Sequence, residues 1–215
     1  MAYKEKHAVL LPDNRLFQPM YSLSIIFDAI AIAMDMMLFG KIRSNMGDFA
    51  EAACTQFPLV VRLPLLTPSI AISQNLTCSG IELNIVPSNG SPVLADQAVT
   101  GYSKSIIDIV SPIFVNFYEK HYDWMRDNID KNPYSWPTVL NFSRAVRNFM
   151  VHHDGRVNFS SANAAPVSWH NLTYGPSDGG HQAVGSGADL GMADIIVLMV
   201  EMADELDLRG CPLNP

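Results

Sequence analysis

The chain has 215 residues, 48% hydrophobic and 16% charged, with a formal net charge of −7; this is enough apolar material for a substantial core and excludes wholesale disorder. Its 14 Lys and Arg are scattered, with no basic run, so general electrostatic attraction for nucleic acid is excluded and any such binding must rest on a local basic site. Cys54, Cys78 and Cys211 are odd in number and widely spaced, which supports neither a disulfide framework nor a zinc site.

In chain order, residues 1–11 hold Lys4 and Lys6 but only a brief apolar run, too short for a secretory leader. A cytoplasmic chain is expected, in which the Asn-x-Ser/Thr tripeptides at Asn75, Asn141, Asn158 and Asn171 carry no glycan. A first helix is predicted over 22–38, rich in Ala, Ile, Met and Leu and stopped at Gly40. The stretch 20–39 is long enough to span a bilayer, but Asp28 and Asp35 would each cost roughly 2.5–3.5 kcal/mol near a membrane centre, so the expectation is a buried helix and no membrane partner. Its nearly all-round apolarity predicts burial against several neighbours. A second helix is predicted over 44–56, ended by Pro58.

From 57 to 98 the texture changes, as Pro58, Pro64, Pro68, Pro87 and Pro92 punctuate short apolar runs such as Leu59-Val60-Val61 and Ile81-Glu82-Leu83-Asn84-Ile85. Short strands, a hairpin and an extended loop all remain open for this insertion. An amphipathic helix is predicted over 101–128, kinked or broken at Pro112. Pro137 suits the first position of the next helix, over 137–154, with Gly155 as a left-handed exit. The stretch 167–174 alternates like a strand, 175–187 is a glycine-rich loop, and a last helix covers 188–208. The expected architecture is therefore mainly α: one domain over 1–215, an up-and-down bundle of four to five helices with an irregular or short-strand insertion at about 57–98 and a small strand-like segment near 167–174.

Chemistry concentrates in Arg147-Asn148-Phe149-Met150-Val151-His152-His153-Asp154-Gly155. A guanidinium is permanently charged and presents a fork of donors suited to phosphate, and an imidazole can exchange a proton near neutral pH. The spelling Arg-Asn-x-x-x-His resembles the Arg-x(4 to 6)-His motif of the HEPN superfamily, small helical proteins that include many metal-independent ribonucleases. The resemblance covers this helix and the general helical plan; the proline-rich middle and the segment after Gly155 lie outside it. It implies RNA cleavage by attack of the ribose 2′-hydroxyl on its own phosphorus, with Arg147 and His152 as catalytic residues and no cofactor or metal. Asn148 would support the phosphate or the histidine, and His153 is the alternative imidazole. The family also implies a homodimer with a shared cleft, RNA as partner, and a toxin or defence setting with a cognate antitoxin or regulatory protein.

On a helical wheel with Val139 at zero, Val139, Phe142, Val146, Phe149 and Met150 fall within about 100° of one another and define the expected core side. Arg147 lies near 80°, Arg144 near 140° and His152 near 220°, so Arg147 and His152 are about 140° apart and do not pair automatically. Unwinding near Gly155 or a partner subunit is expected to bring them together. Asp28 and Asp35, about two turns apart on one face of the first helix, are the expected counter-ions for Arg147 or Arg144. Without catalysis, the same residues would form a core ion pair and a histidine at a helix C-terminus, in an inert interaction module. Other constellations are weaker: His152-His153-Asp154 lacks further metal ligands, His181 has no evident partner in the sequence, and the loop at 175–187 lacks the Gly-Lys-Ser/Thr ending of a P-loop.

Overall fold

A computed structural model of the chain describes residues 6–42, 48–65, 74, 78–88, 97–185 and 187–215, with the backbone alone at 34, 38 and 97–106. In chain order the elements are β1 (Lys6–Leu10), α1 (Phe17–Phe39), β2 (Phe49–Ala53), β3 (Leu59–Pro64), β4 (Ile81–Pro87), α2 (Gln97–Asn128), α3 (Thr138–His152), β5 (Val167–Trp169), β6 (Leu172–Tyr174) and α4 (Met192–Leu208). Among the described residues this is a mixed α/β protein with four helices and two antiparallel sheets, which corrects the mainly helical bundle expected from sequence. The chain divides into two compact units, one of Met1–Ala53 and Pro58–Ser91, the other of Cys54–Phe57 and Pro92–Pro215.

The first unit is a four-stranded antiparallel sheet in the order β1-β4-β3-β2, with α1 against it. The apolar runs left open in the sequence are its two central strands, pairing Val60 with Val86 and Val61 with Ile85. Leu59, Val61, Leu63, Ile81, Leu83 and Ile85 are buried and alternate along their strands, as one face of a pleated sheet requires. A row of opposed polar residues crosses the sheet: His7 opposite Asn84, Asn84 opposite Arg62, Arg62 opposite Glu51. Within it His7 Nδ1 lies 2.7 Å from Asn84 Oδ1, and Arg62 Nε 2.8 Å from Glu51 Oε1.

Residues 49–53, expected as helix, form β2 instead. The propensity of Ala and Glu is a weak prior, and a helix cut off by Pro58 is too short to hold itself together, whereas pairing with β3 satisfies the backbone along the whole segment. The start of that expected helix lies outside the described residues. α1 is longer than expected, and its burial also differs: Met20, Leu23, Phe27 and Asp28 are buried, but Met36, Met37 and Phe39 beyond them are exposed. Among the described residues α1 is the one helix long and apolar enough by composition to cross a membrane, with 29% of that window buried.

The second unit packs α2, α3 and α4 together and lays the β5-β6 hairpin on α3. α2 runs unbroken through Pro112, and Val110, Phe114, Phe117, Tyr118 and Met125 form its buried side. Packing on both sides of the proline offsets the lost amide donor, which costs about 3 kcal/mol in a helix interior. The hairpin is held by aromatic stacking: Trp169 and Tyr174 lie 5.5 and 5.8 Å from the Phe142 ring, nearly parallel to it. Glu201 of α4 fixes the hairpin turn, accepting from Trp169 Nε1 at 2.7 Å and lying 2.8 Å from His170 Nε2.

α4 starts four residues later than the predicted helix, at Met192, because Gly191 and Asp194 cap it: Gly191 N donates to Asp194 Oδ2 at 3.0 Å. The same carboxylate accepts from the backbone N of Thr55 at 2.9 Å and of Gln56 at 3.2 Å. Burial pushes the Asp194 carboxyl above the usual carboxylate range, against these N–H groups, which favour its ionised form. Burial, with the Asp194 charge beside it, also pushes the Cys54 thiol up, away from thiolate chemistry.

Gly155 and Gly210 both have positive φ, at 75° and 72°, but a Cβ at Gly155 would sit 2.3 Å from Val184 O, whereas one at Gly210 meets nothing within 4 Å. Gly155→Ala should therefore cost about 2–5 kcal/mol, combining left-handed strain with a clash against backbone. Gly210→Ala should cost only about 1 kcal/mol, from strain alone. Urea-unfolding midpoints of the two variants would separate these values.

Candidate functional site

α3 buries Leu140, Phe142, Ser143, Ala145, Val146 and Phe149. Phe142, Val146 and Phe149 are buried on the side the wheel placed them, while Val139 and Met150 are only half-buried and Leu140, Ser143 and Ala145 widen the buried arc on both sides. The outward side then presents Arg144, Asn148 and His152, spaced one turn apart on a single row. The helix ends at His152 because the chain turns left-handed: Asp154 has φ 51° and Gly155 φ 75°. His153 N and Gly155 N both donate to Phe149 O, at 3.1 and 2.8 Å, which closes the last turn. Gly155 O in turn accepts from the amides of Ala183 and Val184, each at 3.0 Å.

Arg147 and His152 meet within one chain, with Arg147 Nη1 3.1 Å from His152 Nε2. Neither helix unwinding above His152 nor a second subunit is needed for this contact. Side chains on a helix lean toward its N-terminus, so His152 covers the preceding turn, where Asn148 sits. Arg147 Nη1 reaches the same place and also donates to Asn148 Oδ1 at 3.0 Å. The long guanidinium arm thus spans the 140° that separates the two positions on the wheel.

The carboxylate on Arg147 is Glu119 of α2, whose Oε1 accepts from both Nε and Nη2. Asp28 and Asp35, the counter-ions expected from sequence, belong to α1 of the first unit, where Asp28 is fully buried and Asp35 half-buried. A guanidinium has only donors, so His152 Nε2 must offer its lone pair to Nη1, and the neutral ring then carries its proton on Nδ1. His153, the alternative imidazole, has Nδ1 3.3 Å from Asn158 Nδ2.

Beside this cluster opens a cleft of about 220 Å³, lined by Arg144, Asn148, His152, His153, Asn158 and Tyr134 over a floor that includes Phe149 and Phe159. No carboxylate is among its described lining residues, in a chain of net charge −7. A larger cavity of about 610 Å³ lies at the exit turn, but Asp108 and Asp154 line it together with Arg156, a poor setting for a phosphate. Among the described residues no three His, Cys, Asp or Glu side chains gather as a metal-binding group.

Two other histidines are tied into the fold. His181 has a partner after all: its Nε2 lies 2.7 Å from Asp189 Oδ2, which also accepts from Tyr174 OH at 3.0 Å. This anchors the glycine-rich loop to the hairpin. His170 sits at the hairpin turn with φ 51°, bonded to Glu201. Glu119, Tyr134 and Asn158 were not foreseen at the site, since each reaches it from a different element or loop; Asn158 stood out in the sequence only as part of an Asn-x-Ser tripeptide. No protein-family model, curated protein or solved structure matches the chain.

With side-chain exposures of 23% and 42%, the Arg147–Glu119 pair is only partly shielded from water. A double-mutant cycle with Arg147→Ala and Glu119→Ala should return a coupling of about 0.5–1 kcal/mol that shrinks as salt is raised. A coupling indistinguishable from zero at low salt would mean that Glu119 does not hold the guanidinium.

Proposed function

We propose that the chain is a metal-independent endoribonuclease of HEPN type, with Arg147 and His152 as its catalytic pair. The observation that carries this reading is the 3.1 Å contact between Arg147 Nη1 and His152 Nε2 on an accessible helix end, beside a cleft with no carboxylate among its described lining residues. In the resting arrangement the lone pair of His152 is capped by Arg147. A ribose 2′-hydroxyl entering the site replaces Nη1 as the donor to Nε2, and the N–H so released faces the phosphate. The 2′-oxygen attacks phosphorus as its proton passes to His152 Nε2, the bond from phosphorus to the 5′-oxygen breaks, and that oxygen takes a proton from solvent. Arg147 stabilises the charge that grows on the phosphoryl oxygens, and Glu119 and Asn148 hold it in place. A homodimer would bring two such sites together but is not needed to complete either one.

A second reading, an inert HEPN-like interaction module, draws on the same geometry. Glu119, Asn148 and His152 engage four of the five N–H groups of Arg147, a degree of internal satisfaction that also suits a purely structural role.

RNA incubated with the purified chain in EDTA decides between them. Cleavage leaving 2′,3′-cyclic phosphate and 5′-hydroxyl ends is expected, with His152→Ala and Arg147→Ala each slower by about 10²–10⁴-fold. Wild-type cleavage that survives both substitutions would remove this site. Absence of cleavage by folded wild type on varied RNAs would leave the inert module.

A further inference from the structure

Two guanidiniums stand on the outer side of α3, in different electrostatic states. Arg147 is neutralised by Glu119, and one N–H of its fork remains for a ligand. Arg144 makes no ion pair with any described carboxylate. Its Nε and Nη2 share the amide oxygen of Asn141 at 3.3 and 3.1 Å, which leaves three N–H groups unengaged. Its Cζ lies 4.7 Å from the centroid of the Tyr134 ring. Stacking on a neutral ring sets the plane of the fork without cancelling its charge.

Arg144 lines the cleft, whereas Arg147 does not. It stands two turns before His152 on the same row, about 12 Å along the helix axis, and its side chain leans further toward the N-terminus. A group held by Arg144 is therefore not the phosphorus that His152 would serve, but one further along an extended ligand. The volume agrees: about 220 Å³ lies below the roughly 300–1,000 Å³ of pockets that enclose a whole small ligand, so the cleft fits part of a longer chain.

We infer that Arg144 and Tyr134 form an accessory subsite for a phosphodiester neighbouring the scissile one in single-stranded RNA. The edge of the guanidinium takes the phosphate, and its outer face, with the half-exposed Tyr134 ring beside it, offers a stacking surface that only an unpaired base can reach. The inference rests on reading the cleft as the RNA site, but it concerns binding and does not depend on turnover.

The test uses the full chain and a short fluorescent single strand of 2′-deoxynucleotides, which lacks the attacking hydroxyl and cannot be cleaved by the proposed route. Anisotropy titrations compare wild type with Arg144→Ala, Arg144→Lys, Tyr134→Ala and the charge-matched control Arg209→Ala. Arg144→Ala should weaken binding about tenfold or more, as expected for lost charged hydrogen bonds. It should also flatten the slope of log K against log salt by about 0.7, the share of one single-strand phosphate. Arg144→Lys should keep the slope and lose part of the affinity, Tyr134→Ala should weaken binding with the slope unchanged, and Arg209→Ala should match wild type.

The inference is overturned if folded Arg144→Ala binds within about twofold of wild type with the same slope, or if Arg209→Ala weakens binding as much. It is equally overturned if inorganic phosphate displaces the strand as effectively as unlabelled strand does, since the cleft would then be a simple anion site. Arg144-dependent binding by a protein that cleaves no RNA would remove the nuclease reading and keep Arg144 and Tyr134 as a phosphodiester-binding subsite without a scissile neighbour. Cleavage by wild type that Arg144→Ala leaves unchanged would do the opposite.

Discussion

The geometry of the site depends on how α3 ends. Once the chain turns left-handed at Asp154 and Gly155, the carbonyl of Phe149 is shared by two amides and the helix cannot continue past His152. Gly155 is pinned there by the amides of Ala183 and Val184, and the backbone of Val184 approaches so closely that no side chain fits. This fixes His152 as the last helical residue. Its imidazole keeps helical direction and leans back over Asn148, while His153 has left the helix and meets Asn158 in the following segment. Adjacent histidines of the same chemistry are thus given different neighbours by a single backbone reversal.

Charge is distributed on the same principle. A chain with seven excess negative charges repels polyanions at long range, so any local site for a phosphate would need a lining without carboxylates. Among the described residues, no carboxylate lines the cleft along Arg144, Asn148 and His152. Arg147, one residue before Asn148, faces Glu119 instead and gives up most of its charge to it. The two arginines are therefore in different electrostatic states: one is oriented toward the imidazole by its ion pair, and the other stacks on Tyr134 without an ion pair to a described carboxylate.

The sequence showed the second unit better than the first. Long amphipathic periods carried α2, α3 and α4, because a helix of many turns repeats its apolar stripe often enough to be read. The sheet was hidden because its strands are five to seven residues long, include Ala-rich β2, and contain prolines at the ends of β3 and β4. Lys6–Leu10 is a strand only because β4 lies beside it, and nothing local marks it. The site was legible as residue types on one helix, since Arg147, Asn148, His152 and Arg144 were all in view. Glu119 and Tyr134 were not, because contacts between elements leave no spacing in the sequence. Side chains are not points on a circle, and the long arm of Arg147 crosses the face of its own helix to reach His152.

A guanidinium that caps the lone pair of a histidine while paired to a carboxylate is a stable polar cluster, and stability alone would explain Glu119, Arg147, Asn148 and His152. What stability does not explain is the ground beside it. Arg144 stacks on a half-exposed tyrosine and retains three unengaged donors, Tyr134 is not buried for the sake of a core, and no described carboxylate lines the cleft they share. A fold that only needed to secure the end of α3 had Gly155 and the Phe149 carbonyl for that purpose. The unneutralised Arg144 and the capped His152 lie on one row of one helix, an arrangement that the proposed single-stranded ligand, with its regularly spaced negative charges, would address at two points together.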